Sequence, residues 1–197
     1  MQVQMLRPGL WRWTTEHPDW TAERVGWGVE VGCVYLETPE AIVLVDPLVP
    51  IDVAEGGRFW RALDRDIERL GLPVVVVTTI GLHERSAGDV VDRYRASRWS
   101  PGEATPTGLT IIPATTNQEV MVLATEYRAL TTADLLIGDR AGGIRLCPAS
   151  WLSDPVTLDD VRAELQVLLS HDIDMVLPSH GEPVLTGGAA ALRAALV

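Results

Sequence analysis

The segment MVLPSHGEP, residues 175–183, is an apolar run too short for a helix that stops at a proline and delivers a histidine and a glycine into a turn. Such short runs bounded by turn residues read as buried strands. The pattern recurs upstream: AIVLV closes on Asp46-Pro47, VVVV is followed by Thr79, and LLIG closes on Asp139. An aspartate after a single strand ordinarily serves a turn. Several such ends together carry more weight, because open α/β sheets gather ligands outside the carboxyl ends of their strands.

Helical and strand patterns fill the intervals. Residues 29–36 and 41–45 read as strands, and 57–70 as a helix with Phe59, Leu63, Ile67 and Leu70 on one face and Gly71 as its stop. Residues 74–77 form a buried, parallel-type strand, after which Ser86 caps a helix carrying Val90, Val91 and Tyr94. The Pro-, Gly- and Thr-rich stretch 100–113 divides two halves. Beyond it, 109–112, 120–123, 135–137, 144–147 and 175–177 read as strands. Thr157-x-x-Asp160 resembles a capping box opening a helix with Val161, Leu165, Leu168 and Leu169 inward, and Thr186 caps a last Ala-rich helix. Strands alternating with helices predict a layered α/β domain.

Composition bounds the function. At 197 residues, 47% hydrophobic and 22% charged, the chain fits one domain, 1–197. Acids outnumber bases 27 to 16, and a net charge of -11 repels phosphate, so neither nucleic acid nor an anionic membrane is an expected partner. No apolar run approaches the roughly 18 residues that span a bilayer, and the start MQVQMLRPGLWRW lacks the layout of a signal peptide. Cys33 and Cys147 allow at most one bridge and read as small core residues. The expectation is a cytoplasmic globular protein whose small-molecule or protein partner and oligomeric state stay open.

On Leu44-Val45-Asp46-Pro47, the strand leading to Thr79, Gly138-Asp139 and Pro178-Ser179-His180-Gly181, in this order over 29–183, the sequence resembles the metallo-β-lactamase superfamily. The resemblance implies an αββα sandwich, two mixed β-sheets packed together and flanked by helices. It also implies metal ligands in an H-x-H-x-D-H signature after the strand threonine, where this sequence has Ile80, Leu82, Glu84 and Arg85. A further ligand histidine is implied in a P-G-H turn before the Gly-Asp strand, yet LATEYRAL, residues 123–130, has none.

The second-metal positions hold Glu84, Arg85, Asp139 and His180. Two readings stay open. Either Arg85, always protonated, replaces the metal charge against Asp139 or Glu84, with no cofactor, or one zinc or other divalent ion sits on Glu84, Asp139 and His180. His83 is a solvent-facing loop histidine, or it joins Glu84, Arg85, Asp139 and His180 in acid–base work. The expected pocket is therefore Asp46, His83, Glu84, Arg85, Asp139 and His180, with His180, His83 and Asp139 as catalytic candidates. The implied protein is a metal-free small-molecule-binding or interaction protein, or alternatively a hydrolase using one residual metal or acid–base catalysis alone.

Other residues read more plainly. His17 lies near Trp11, Trp13 and Trp27, which form a core wall or lid, or stack on a ligand. His171 follows a helix and suits its C-terminal dipole, and Gly142-Gly143 after Asp139-Arg140 is a hairpin signal. No G-x-S-x-G, Walker or dinucleotide motif supports esterase, nucleotide or NAD chemistry.

Overall fold

The computed structural model describes residues 1–23, 27–139 and 141–197. It divides into two compact units, one of Met1–Ala22 with Val29–Gly108, the other of Leu109–Val197 with the described residues of Glu23–Gly28. Among the described residues, no helix is long and apolar enough to cross a membrane.

The first unit is a six-stranded mixed sheet with strands in sequence order, β1 (Gln2–Arg7), β2 (Leu10–Glu16), β3 (Glu30–Glu37), β4 (Ile42–Val45), β5 (Val74–Val77) and β6 (Ser97–Arg98). β1 to β4 form an antiparallel meander. β4, β5 and β6 are parallel, joined by α1 (Val53–Leu70) and α2 (Ala87–Tyr94). A parallel step needs such a crossover, which is why apolar runs alternate with helices here. Asp52 caps α1 by accepting from Glu55 N at 2.9 Å, and Gly71 ends it at φ 64°.

α1 begins four residues before the predicted start at 57. Its paired glycines do not delay it, because Gly56 is the residue that fits: a Cβ there would stand 2.9 Å from Pro50 O. Phe59 and Leu63 are buried as the periodicity required, and Phe59 meets Trp13 of β2 at a centroid distance of 5.4 Å. Trp13 donates its indole N–H to Leu48 O at 3.0 Å, which makes it a core wall. Ser86 precedes α2 without capping it through its side chain. Its hydroxyl accepts from Val49 N at 3.0 Å and so ties the loop after β5 to the loop after β4.

The second unit holds a four-stranded sheet ordered β12-β9-β8-β7, from β7 (Leu109–Ala114), β8 (Glu119–Ala124), β9 (Ala129–Thr132) and β12 (Met175–Pro178). β10 (Leu136–Gly138) and β11 (Ile144–Leu146) form a separate hairpin. β7, β8 and β9 are antiparallel, and β12 runs parallel to β9. Met121, Leu130, Leu136, Val161, Leu165 and Leu192 lie in its core, the last three from α3 (Leu158–Leu165) and α4 (Gly188–Leu196). The capping box at Thr157 and Asp160 forms in full, but α4 is capped by Gly187 at φ 71° rather than by Thr186. Gly188 must be small there, since a Cβ would stand 2.9 Å from the Asp174 carbonyl. Cys33 and Cys147 are buried free thiols, each pushed up by burial to about 11.

Candidate functional site

In the first unit, two parallel strands end side by side, Val45 of β4 opposite Val77 of β5. The residues just beyond them meet. Asp46 leaves β4 in a left-handed conformation, φ 49°, which swings its carboxylate toward the neighbouring strand end. Asp46 Oδ1 accepts from Thr79 N at 2.7 Å, and Oδ2 accepts from the Thr79 hydroxyl at 2.5 Å. His83 Nδ1 stands 2.9 Å from the same Oδ2 and 3.2 Å from Thr79 Oγ1. All three residues are buried. Burial alone would raise the Asp46 carboxyl, but the charge and hydrogen bond of His83, with Arg85 and Thr79, outweigh it and hold the group below its ordinary range. An ionised carboxylate only accepts, so the Asp46 contact assigns the proton to Nδ1 of His83 and turns Nε2 away.

His83 is therefore an inward residue, not a solvent-facing one. Its short helical turn, Gly81–His83, leaves Leu82 79% exposed beside it. Glu84 is exposed as well and pairs with Arg98 at 2.5 Å. Arg85 turns back, again with a left-handed φ of 40°, and its Nη1 donates to Gly32 O and Asp46 O, both at 3.1 Å. Its Nε and Nη2 are shut off from solvent without a hydrogen-bond partner.

In the second unit, the ends of β10 and β12 are joined through backbone. Gly138 N donates to His180 O at 2.8 Å. A Cβ on Gly138 would lie 2.1 Å from Glu182 O, and one on Gly181 would lie 2.3 Å from Gly138 O, so both positions exclude any side chain. Asp139 follows, and its Oδ1 accepts from Ala141 N at 2.8 Å and Gly143 N at 2.7 Å. That carboxylate closes the predicted β10–β11 hairpin; Arg140 within it lies outside the described residues.

His180 is buried, with Nε2 3.1 Å from Asp134 Oδ1 and its ring edge-on to Trp27 and Trp151 at 5.0 and 5.7 Å. Asp134 is the residue that sequence reading missed. It follows β9, which was not predicted because the polar Thr131-Thr132 interrupts the apolar run. The signal was there all the same, an acid just past a strand, as at Asp46 and Asp139.

Asp134 is positioned from behind by Glu119 of β8, which accepts from Asp134 N and Leu135 N, each at 3.2 Å. Burial pushes the Glu119 carboxyl up to about 7. Elsewhere, His17 accepts from Asp19 N at 3.2 Å in a local turn, and His171 closes the helical turn Gln166–Ser170.

No protein-family model and no curated protein sequence matches the chain. Solved structures do. A DIM-1 metallo-β-lactamase exposed to ceftazidime superposes with a TM-score of 0.64 at 13% identity, over 98% of this chain and 93% of that one. VMB-1 at pH 5.5 gives 0.59 at 11% identity over 98% and 96%, and a metallo-β-lactamase from Hirschia baltica gives 0.59 at 15% over 97% of each. The chain has the metallo-β-lactamase fold, as its strand ends implied. At these identities the likeness is one of fold.

Proposed function

We propose that this chain is a metallo-β-lactamase-fold protein that works without a metal at the positions the resemblance implies, as a single cytoplasmic domain that binds a small molecule. The observation that carries the reading is Arg85, although the pairing expected of it with Glu84 or Asp139 is not formed, since Glu84 pairs with Arg98 and Asp139 closes its own turn. Arg85 stands at the last position of the ligand signature and is held there through two backbone carbonyls, Gly32 O and Asp46 O. A permanently protonated guanidinium so fixed repels a cation and supplies positive charge itself.

Of the other implied positions, only His180 keeps a ligand atom to give, with Asp134 3.1 Å from its Nε2. Ile80 and Leu82 have no lone pair to give, Glu84 is committed to Arg98, and Asp139 caps its own turn. No reaction step is therefore routed through a metal. Plasma mass spectrometry of protein purified without chelator tests this, before and after incubation with zinc, manganese or iron. The expected content is below about a tenth of an equivalent, with a melting temperature unmoved by chelator. About one equivalent, lost in His180→Ala, overturns it.

A second reading, metal-free acid–base catalysis, draws on the Asp46–His83 pair. An ionised carboxylate on Nδ1 orients the imidazole, the arrangement of a general base. On this reading, His83→Gln lowers kcat/KM for nitrophenyl ester hydrolysis by about 100-fold or more, with chelator having no effect. Equal rates in the two proteins discard it.

A further inference from the structure

β1 is the outermost strand of its sheet, bonded among the described residues to β2 alone. Edge strands are ordinarily guarded by proline, charge or a bulge. The stretch from Gln2 to Met5 has none of these, and its register shifts only between Met5 and Arg7. Val3 and Met5, alternate residues on one face, are 55% and 56% exposed. Met1 and Val3 form one wall of a groove of about 680 Å³, and Arg58, Arg61, Ala62 and Arg65 of α1 form the other. In a chain of net charge -11, this is a local concentration of positive charge.

Not all of the groove's charge is available. Asp64 at its rim is engaged by Arg93 and Tyr94, and Arg58 pairs with Glu55. Arg61 and Arg65 have no acidic partner among the described residues.

We propose that this face docks an extended acidic peptide of another protein, added as a further strand along β1 with its carboxylates on Arg61 and Arg65. The spacing fits. Four residues of helix rise about 6 Å, and alternate residues of a strand, which share one face, repeat at about 6.6 Å. Main-chain bonds to the unguarded edge would supply affinity, and the guanidinium–carboxylate pairs both register and selectivity. Charge argues against a second copy of the chain as occupant, because pairing β1 with itself sets the same arginines against each other.

The probe is a fluorescein-labelled octapeptide of alternating glutamate and valine, titrated into the full chain by anisotropy, with a lysine–valine octapeptide as control. The expected result is saturable binding of the acidic peptide only. It weakens about tenfold or more in the double variant Arg61→Glu, Arg65→Glu. Both side chains are exposed, so the variant's circular dichroism should match that of the parent. Slowed amide exchange at Gln2–Met5 on binding distinguishes strand addition from mere charge attraction. Binding without that protection, equal binding of the lysine peptide, or a doubled mass in sedimentation with no peptide present overturns the proposal.

Discussion

Glu119 shows how one buried carboxyl couples acidity to site geometry. Its oxygens hold the N–H groups of Asp134 and Leu135, so the loop that carries Asp134 to His180 hangs on a group pushed up to about 7 by burial. Below the unfolded value near 4.5 both states are protonated. Between there and about 7, the folded chain keeps a proton that the unfolded chain has released, so stability falls as pH rises, by up to about 3 kcal/mol. Glu119→Gln should flatten that slope, so that urea midpoints of parent and variant converge near pH 4.5 and the variant gains at pH 8. Parallel curves across the range would disprove it.

At this same scale, Asp46, Asp139 and His180 were legible as polar residues ending apolar runs. The partners were not. Nothing local sends Glu84 outward to Arg98 and its neighbour His83 inward to Asp46. That choice follows from a tight turn in which successive side chains point in different directions.

Among the elements, the junction of β10 with the turn after β12 is the most constrained. Gly181 has φ 84° and no room for a Cβ against Gly138 O. Gly181→Ala should therefore cost about 3 kcal/mol or more, from left-handed strain and displacement of the β10 backbone together. Gly142→Ala, at φ 81° with nothing within 4 Å, should cost only the strain, about 1–2 kcal/mol. Urea denaturation of the two variants gives the comparison, and equal losses would show that the close approach carries no energy. Most elements could be read from periodicity, including α1 and the capping box of α3. The β1–β2 hairpin and β9 could not, because exposed edge residues and buried threonines break the apolar alternation on which strand reading depends.

At the scale of the molecule, the boundary between the units falls at Gly108–Leu109, inside the Pro/Gly/Thr-rich stretch that marked the division in sequence. The units are not separable by one cut. The described residues of Glu23–Gly28 belong with the second unit, while β2 and β3 on either side of them belong to the first. A chain so interleaved should unfold in one cooperative transition, with tryptophan fluorescence and far-ultraviolet circular dichroism coinciding in urea. Two separated transitions would make it two domains.

By itself the sequence determined a layered α/β domain, because runs of buried strand and the faces of helices are periodic along the chain and survive without knowledge of neighbours, while the sandwich was implied only by the resemblance its strand ends carry. The sequence also marked which strand ends carry polar residues. Only the tertiary structure decided how those residues are used: Asp46 on Thr79 and His83, Arg85 on backbone carbonyls, Asp139 in its own turn, and Asp134 on His180. Such pairings are set within about 3 Å by backbone direction and by residues dozens of positions apart, and a linear pattern holds neither.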